Sequence, residues 1–278
     1  MDHIAQAKEY LKNYDFSKSM DKKHDGFVIL GAISLYELTK DAQVKDTIID
    51  FVNNTINEDG TIKDYKEDYA ISYFIPGRAY IFAYEVTKEE KYKNAADVLI
   101  KQLQTQPREN GCFAKNGKDG KTALPCYNGC DALYPFYASY GTKYGKKENY
   151  NDLIAQMKAL YELSDIKNLE TKKLALYANM LADLTKEVSE EIYEHRRNIA
   201  DKLKTVCQEL VLRTDCDNTD KMMMAKALLK AGNERAILSE KYVDIAVKNY
   251  NEAKEQVNTP MFVGAQIEAA VLCSIFEN

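Results

Sequence analysis

Three groups of residues in this chain have types and spacings that could do chemistry. The first is Cys126-x3-Cys130 with Cys112 upstream. Three thiolates can ligate zinc, but the spacing is not a common zinc signature and no fourth ligand is evident. Reduced thiols are the simpler reading, so neither a metal nor a cofactor is expected. The second is Asp131, directly after Cys130 and ahead of Ala132-Leu133-Tyr134. A carboxylate there is either a general acid/base or an acid stabilised by a helix dipole, and burial and pKa decide between them. The third is Arg78. Its guanidinium suits bidentate pairing with a ligand carboxylate, and its place at an apolar helix start equally suits a structural ion pair. Among the 20 tyrosines, Tyr69, Tyr73, Tyr127 and Tyr134 are candidates to line a pocket, whereas most others recur at helical spacing as core or rim residues. His24 precedes an apolar helix and either reaches a pocket mouth or is solvated, while His3 and His195 lie in polar contexts far away.

Helices must position these groups. Helical periodicity predicts twelve segments, near 4–14, 25–38, 42–56, 70–86, 89–106, 128–144, 148–163, 169–185, 188–213, 219–231, 239–255 and 262–276. Pro107 to Pro125, with Gly111, Gly117 and Gly120, reads as a loop. Tyr36-Glu-Leu-Thr-Lys-Asp41 recurs as Tyr84-Glu-Val-Thr-Lys-Glu89, an offset of 48 residues, and again as Ala182-Asp-Leu-Thr-Lys-Glu187 about three periods from the first. That period is one helical hairpin. Thr39, Thr87 and Thr185 are placed as caps, each with an acid two residues on for the next helix. Segment 26–38 is apolar nearly all round and is expected inside, whereas 89–106 carries one apolar stripe and is expected outside. Two concentric rings follow, although an open solenoid would have the same local pattern. Met222-Met-Met224 reads as helix packing. The run Glu190–Arg197 reads as a solvated face with i,i+4 charge pairs, or as a subunit surface of a homo-oligomer.

Composition narrows the class. The chain has 278 residues, of which 45% are apolar, with only 12 Gly and 5 Pro, few for an all-β chain. A single domain over 1–278 is expected. The formal net charge of −5 argues against a broad nucleic-acid surface. No apolar stretch is long enough to span a bilayer and the polar N-terminus lacks a secretion-signal pattern, so the expected setting is cytoplasmic, with no membrane partner. Cys207 and Cys273 fall in apolar helical patterns and read as core residues.

From about residue 25 to 140 the chain resembles glycoside hydrolase families 88 and 105, the unsaturated glucuronyl and rhamnogalacturonyl hydrolases. The residues that carry the likeness are Asp25-Gly-Phe27, Leu35-Tyr-Glu-Leu-Thr39, Asp59-Gly-Thr-Ile62, Asp68-Tyr69, Pro76-Gly-Arg78, Gln104-Thr-Gln-Pro-Arg108 and Asp131-Ala-Leu-Tyr134. Beyond 150 it thins to helical rhythm with Lys226-Ala-Leu-Leu-Lys230 and Tyr242. The resemblance implies an all-α (α/α)6 barrel of six helical hairpins. It also implies a pocket at one barrel end for a sugar with a C4–C5 double bond. There an acid protonates the vinyl ether, water adds, and the resulting hemiketal collapses and releases the neighbouring sugar. Asp131 matches the acid/base aspartate. Ser72 stands where the family has a second aspartate, Gly111-Cys-Phe-Ala-Lys115 lacks the family's histidine, and Tyr127-Asn-Gly-Cys130 replaces a tryptophan-bearing stretch. The resemblance makes Arg78 or Lys115 the partner of a substrate uronate, and Ser72, Tyr127 and Tyr134 its other contacts. Two functions stand open: a divergent hydrolase of small unsaturated uronyl oligosaccharides, or a degenerate barrel that binds a ligand or protein without hydrolysis.

Overall fold

The computed structural model describes residues 2–19, 21–117, 120–123, 129–146, 148–188, 192–254 and 259–276; for 115–117, 120–123 and 239–240 it describes the backbone alone. Twelve α-helices form among the described residues, and their ranges follow the periodicity. They are α1 (His3–Asn13), α2 (Gly26–Thr39), α3 (Ala42–Thr55), α4 (Gly77–Thr87), α5 (Glu90–Thr105), α6 (Cys130–Lys143), α7 (Glu148–Leu163), α8 (Thr171–Glu187), α9 (Tyr193–Leu210), α10 (Asn218–Asn233), α11 (Ser239–Ala253) and α12 (Pro260–Phe276).

The even-numbered helices are buried along most of their length, as α2, α8 and α12 show, and the odd-numbered ones bury one stripe. Burial all round requires neighbours on every side. The inner helices accordingly pack in the order α2, α4, α6, α8, α10, α12, and α12 packs back on α2. The ring is closed, which the periodicity left undecided. It closes through small residues: a Cβ on Gly264 would lie 2.2 Å from the Phe27 carbonyl oxygen. Each of the first five inner helices packs on the outer helix that follows it, whereas α12 takes α1 as its main outer partner. The sixth hairpin is therefore assembled from the two ends of the sequence.

Three local expectations are corrected. The repeated threonines do not cap the following helix. Thr39 and Thr87 end inner helices, and their hydroxyls donate to the carbonyls of Leu35 and Ala83 (both 2.8 Å) and accept from the Asp41 and Glu89 amides. The cap of α3 is Asp41, which accepts from the Gln43 amide at 2.9 Å. Second, the expected helix 70–86 is split into a 3-10 turn, Ile71–Phe74, and α4, because Pro76 has no N–H to continue the ladder. Third, the stretch read as a loop contains a three-stranded antiparallel sheet, β1 (Arg108–Glu109), β2 (Cys112–Gly117) and β3 (Gly120–Ala123), in which Arg108 pairs with Phe113 and Lys115 with Thr122. The alternation that marks a strand is too short there to stand out among the glycines.

The six inner helices run in one direction, since an outer helix returns the chain between each and the next. The long connections before α4 and α6 therefore lie at the end where inner helices begin. No described helix is long and apolar enough to cross a membrane.

Candidate functional site

The sheet is anchored by side chains that the sequence singled out as motif. Gln106 is buried and donates to the Ala114 carbonyl at 2.7 Å and the Tyr69 carbonyl at 3.2 Å. Arg108 makes a two-pronged contact with Asp152 at 2.6 and 2.7 Å, and Asp152 also accepts from the Tyr137 hydroxyl. These residues brace the segment that delivers the chain to α6.

Asp131 sits in the first turn of α6. The turn before it passes through Gly129 at φ +86°, and a Cβ there would lie 2.4 Å from Ile71 Cγ2. Only glycine meets both demands. The amides of Ala132 and Leu133 bond to the Gly129 carbonyl at 3.2 and 3.0 Å. Pro135 cannot donate to the Asp131 carbonyl one turn back, so this first turn depends on the glycine. Ser72, in the 3-10 turn beside Ile71, is thereby brought to the same end as Asp131 and keeps partial exposure.

Asp131 lies deep in the barrel yet keeps part of its surface accessible, and its carboxyl is held above the usual range. Desolvation is the main cause and Asp183 adds to it, against the opposing pull of Lys226 and Arg78. Those groups come from α8, α10 and α4, so Asp131 is aimed at the axis where these helices converge.

Beneath it an ion network crosses the axis. Arg78 pairs with Asp183 at 3.0 Å, Lys230 with Asp183 at 2.5 Å and with Glu268 at 3.0 Å, and Lys226 with Glu268 at 2.9 Å. The Asp183 and Glu268 side chains are only 6% and 9% exposed. Although burial alone would raise both carboxyls, the surrounding Arg78, Lys226 and Lys230 hold them below their ordinary range. Buried charges persist only when paired in this way. Sequence reading treated Lys226-Ala-Leu-Leu-Lys230 as a family trace and did not single out Asp183 or Glu268. The available signal was a lone charge on a helix otherwise apolar all round, as with Glu268 in Pro260–Phe276. Asp25 was also passed over as a site residue. It is buried at the start of α2, accepts from the Tyr14 hydroxyl at 2.6 Å, and desolvation raises its carboxyl. Its turn touches the 3-10 segment from the other side, since a Cβ on Gly26 would meet the Pro76 nitrogen at 2.9 Å.

The remaining expectations divide. Arg78 is held in an ion pair rather than free for a ligand. Tyr134 does not line a pocket: it is fully buried and donates to Gln156 of α7 at 3.1 Å, packed against Phe113. Tyr73 bonds the loop carbonyl of Asp64 and is likewise structural. His24 is exposed beside Asp21 at 3.1 Å. The Lys115 side chain, Cys126, Tyr127 and residues 190 and 191 of the run 190–197 lie outside the described residues. Cys112 and Cys130 are buried thiols outside any disulfide, and burial pushes the Cys112 thiol up. No cluster of metal-ligating side chains occurs among the described residues.

The model of the Glycosyl Hydrolase Family 88 matches residues 2–178. Among solved structures, a glycoside hydrolase from family 105 of C. acetobutylicum ATCC 824 superposes with a TM-score of 0.79 at 18% identity, covering 96% of this chain and 99% of that one. The GH76A alpha-1,6-mannanase from Salegentibacter sp. HEL1_6 superposes with a TM-score of 0.64 at 10% identity, covering 98% of each chain. At these identities the two structures speak for the (α/α)6 barrel alone. A comparison with curated protein sequences finds no match.

Proposed function

The chain belongs to Glycosyl Hydrolase Family 88, and from that premise we propose that it is a single-domain hydrolase of small unsaturated uronyl oligosaccharides, with Asp131 as general acid and base. The observation that carries the proposal is the placement of Asp131: desolvated at the axis, partly accessible, with a raised pKa. An acid that must protonate a vinyl ether near neutral pH needs that shift.

The ion network supports the choice of an anionic sugar. Arg78, Lys226 and Lys230 bring three cations to the carboxylates Asp183, Glu187 and Glu268. Lys226 and Arg78 also pull on Asp131. A uronate carboxylate arriving beside Asp131 would meet the same two cations, and would favour the protonated, acidic form of Asp131 when substrate is bound. Protonation at C4 then leaves a carboxylate able to take a proton from the water that adds at C5. Lys115 and Tyr127 remain proposed substrate contacts, carried over from the family likeness.

Two observations favour the second reading, a barrel that binds without hydrolysis: Ser72 stands where the family's second carboxylate belongs, and Arg78 is committed to Asp183. Loss of the double bond's ultraviolet absorbance on unsaturated rhamnogalacturonyl and glucuronyl oligosaccharides, abolished by Asp131→Asn, tests the hydrolase reading against it.

A further inference from the structure

A uronate needs a cation to receive it, and the axial network distinguishes its three cations by where they face. The network lies between Asp131 and an open cavity of about 470 Å3 at the opposite end of the barrel, where the inner helices finish. Of Arg78, Asp183, Lys226, Lys230 and Glu268, only Lys226 is absent from the lining of that cavity. Its side chain is nevertheless 16% exposed, and it pulls harder on the Asp131 carboxyl than Arg78 does. The helices that carry Asp131 and Lys226, α6 and α10, both pack on α8. The open part of Lys226 therefore lies on the Asp131 side.

Lys226 is also the cation with donors to spare. Its ammonium meets Glu268 Oε2 at 2.9 Å, and among the described residues this is its one ion pair. Glu268 is held a second time at Oε1, by Lys230 at 3.0 Å and by the Ser34 hydroxyl at 3.3 Å. An ammonium carries three donors, so Lys226 can keep Glu268 and take a second anion. Neither of the other cations has that freedom. Lys230 bridges Asp183 and Glu268 and is 9% exposed, and Arg78 is bonded to Asp183 and acts on Glu187 as well.

We propose that Lys226 is the specificity-determining residue that receives the substrate's uronate, in place of Arg78. The proposal rests on the hydrolase reading. The ammonium bridges Glu268 and the ligand carboxylate, which sets the vinyl ether of the same sugar beside Asp131. A neutral sugar would leave the spare donors unmet, so the acid form of the ligand is selected over an uncharged one. A lysine serves here as a point charge on a flexible stem, with no need for the fixed fork of a guanidinium.

The test separates recognition from turnover by using Asp131→Asn, which imitates the protonated acid. Unsaturated rhamnogalacturonyl and glucuronyl disaccharides, each as the free acid and as the C6 methyl ester, are titrated into this variant by calorimetry. The same titrations are run with Lys226→Met and Lys226→Arg added. With Lys226 present, the acid is expected to bind about tenfold or more tighter than the ester. Lys226→Met should remove that preference by weakening the acid alone, and Lys226→Arg, which keeps the charge, should retain it. Thermal melts establish that each variant is folded. Equal weakening of acid and ester by Lys226→Met, or equal affinity for the two while Lys226 is present, would overturn the proposal and leave Lys226 a support of Glu268. Absence of saturable binding of either form would overturn it too. Turnover by wild type decides separately whether the hydrolase reading stands.

Discussion

At the scale of single residues, the barrel holds two kinds of buried carboxylate with opposite electrostatics. Glu268 and Asp183 are held below the ordinary range by their cations, and their ionised form stabilises the fold. That contribution is present above the unfolded pKa of about 4 and is lost as pH falls through the folded value. Glu268→Ala leaves Lys226 and Lys230 without a shared partner, and a loss of about 3–5 kcal/mol is expected in denaturant melts at neutral pH. Asp131 is the reverse case. Its folded pKa is raised, so its ionisation counts against the fold once pH exceeds the unfolded value. Asp131→Asn is expected to melt above wild type at pH 7, the difference closing below about pH 4. Lys226 lowers the Asp131 pKa. Removing its charge in Lys226→Met should therefore move the alkaline limb of the pH–rate profile to higher pH. An unmoved limb would mean that Lys226 only holds Glu268.

At the scale of elements, the aim of Asp131 depends on the turn before α6. Gly129→Ala forces a side chain into a positive-φ position already filled by Ile71. A destabilisation of about 1–3 kcal/mol is expected in a urea melt, and turnover should fall further than that loss explains, because a misplaced acid loses its geometry. The helices themselves were legible in the sequence, since their 3.6-residue pattern is set by local burial. The threonine repeat was legible as a repeat but not as chemistry: the hydroxyls bond back into the helix that ends, a choice fixed by the left-handed Lys40 and Lys88 that follow Thr39 and Thr87. Gln106 and Arg108 were visible as motif, but their roles in bracing the sheet depend on Ala114 and Asp152, partners that only the fold supplies. Tyr134 was misplaced for a related reason, since its position on α6 does not say that Gln156 of α7 waits on that side.

At the scale of the whole molecule, closure makes the axis a place where distant residues meet. Asp131, Asp183, Lys226 and Glu268 span much of the chain and have no local pattern in common. Asp131 could be found through family likeness, whereas the others become a site only once α12 returns to α2. The same closure predicts an unusual dependence on the first helix. Residues Ala7 and Leu11 of α1 are buried in the last hairpin. Deleting residues 1–14 should cost about 3 kcal/mol or more from lost apolar burial, seen as a lower melting temperature in calorimetry.

In the proposed function, a desolvated aspartate at the barrel axis, facing a cationic network, makes this chain a hydrolase of unsaturated uronyl sugars. The direct measurement is the decay of ultraviolet absorbance when unsaturated rhamnogalacturonyl and glucuronyl oligosaccharides are incubated with wild type and Asp131→Asn side by side. Decay is expected with wild type on at least one substrate, and none with the folded variant. Decay that persists in Asp131→Asn, or no decay with folded wild type on either substrate, would contradict it.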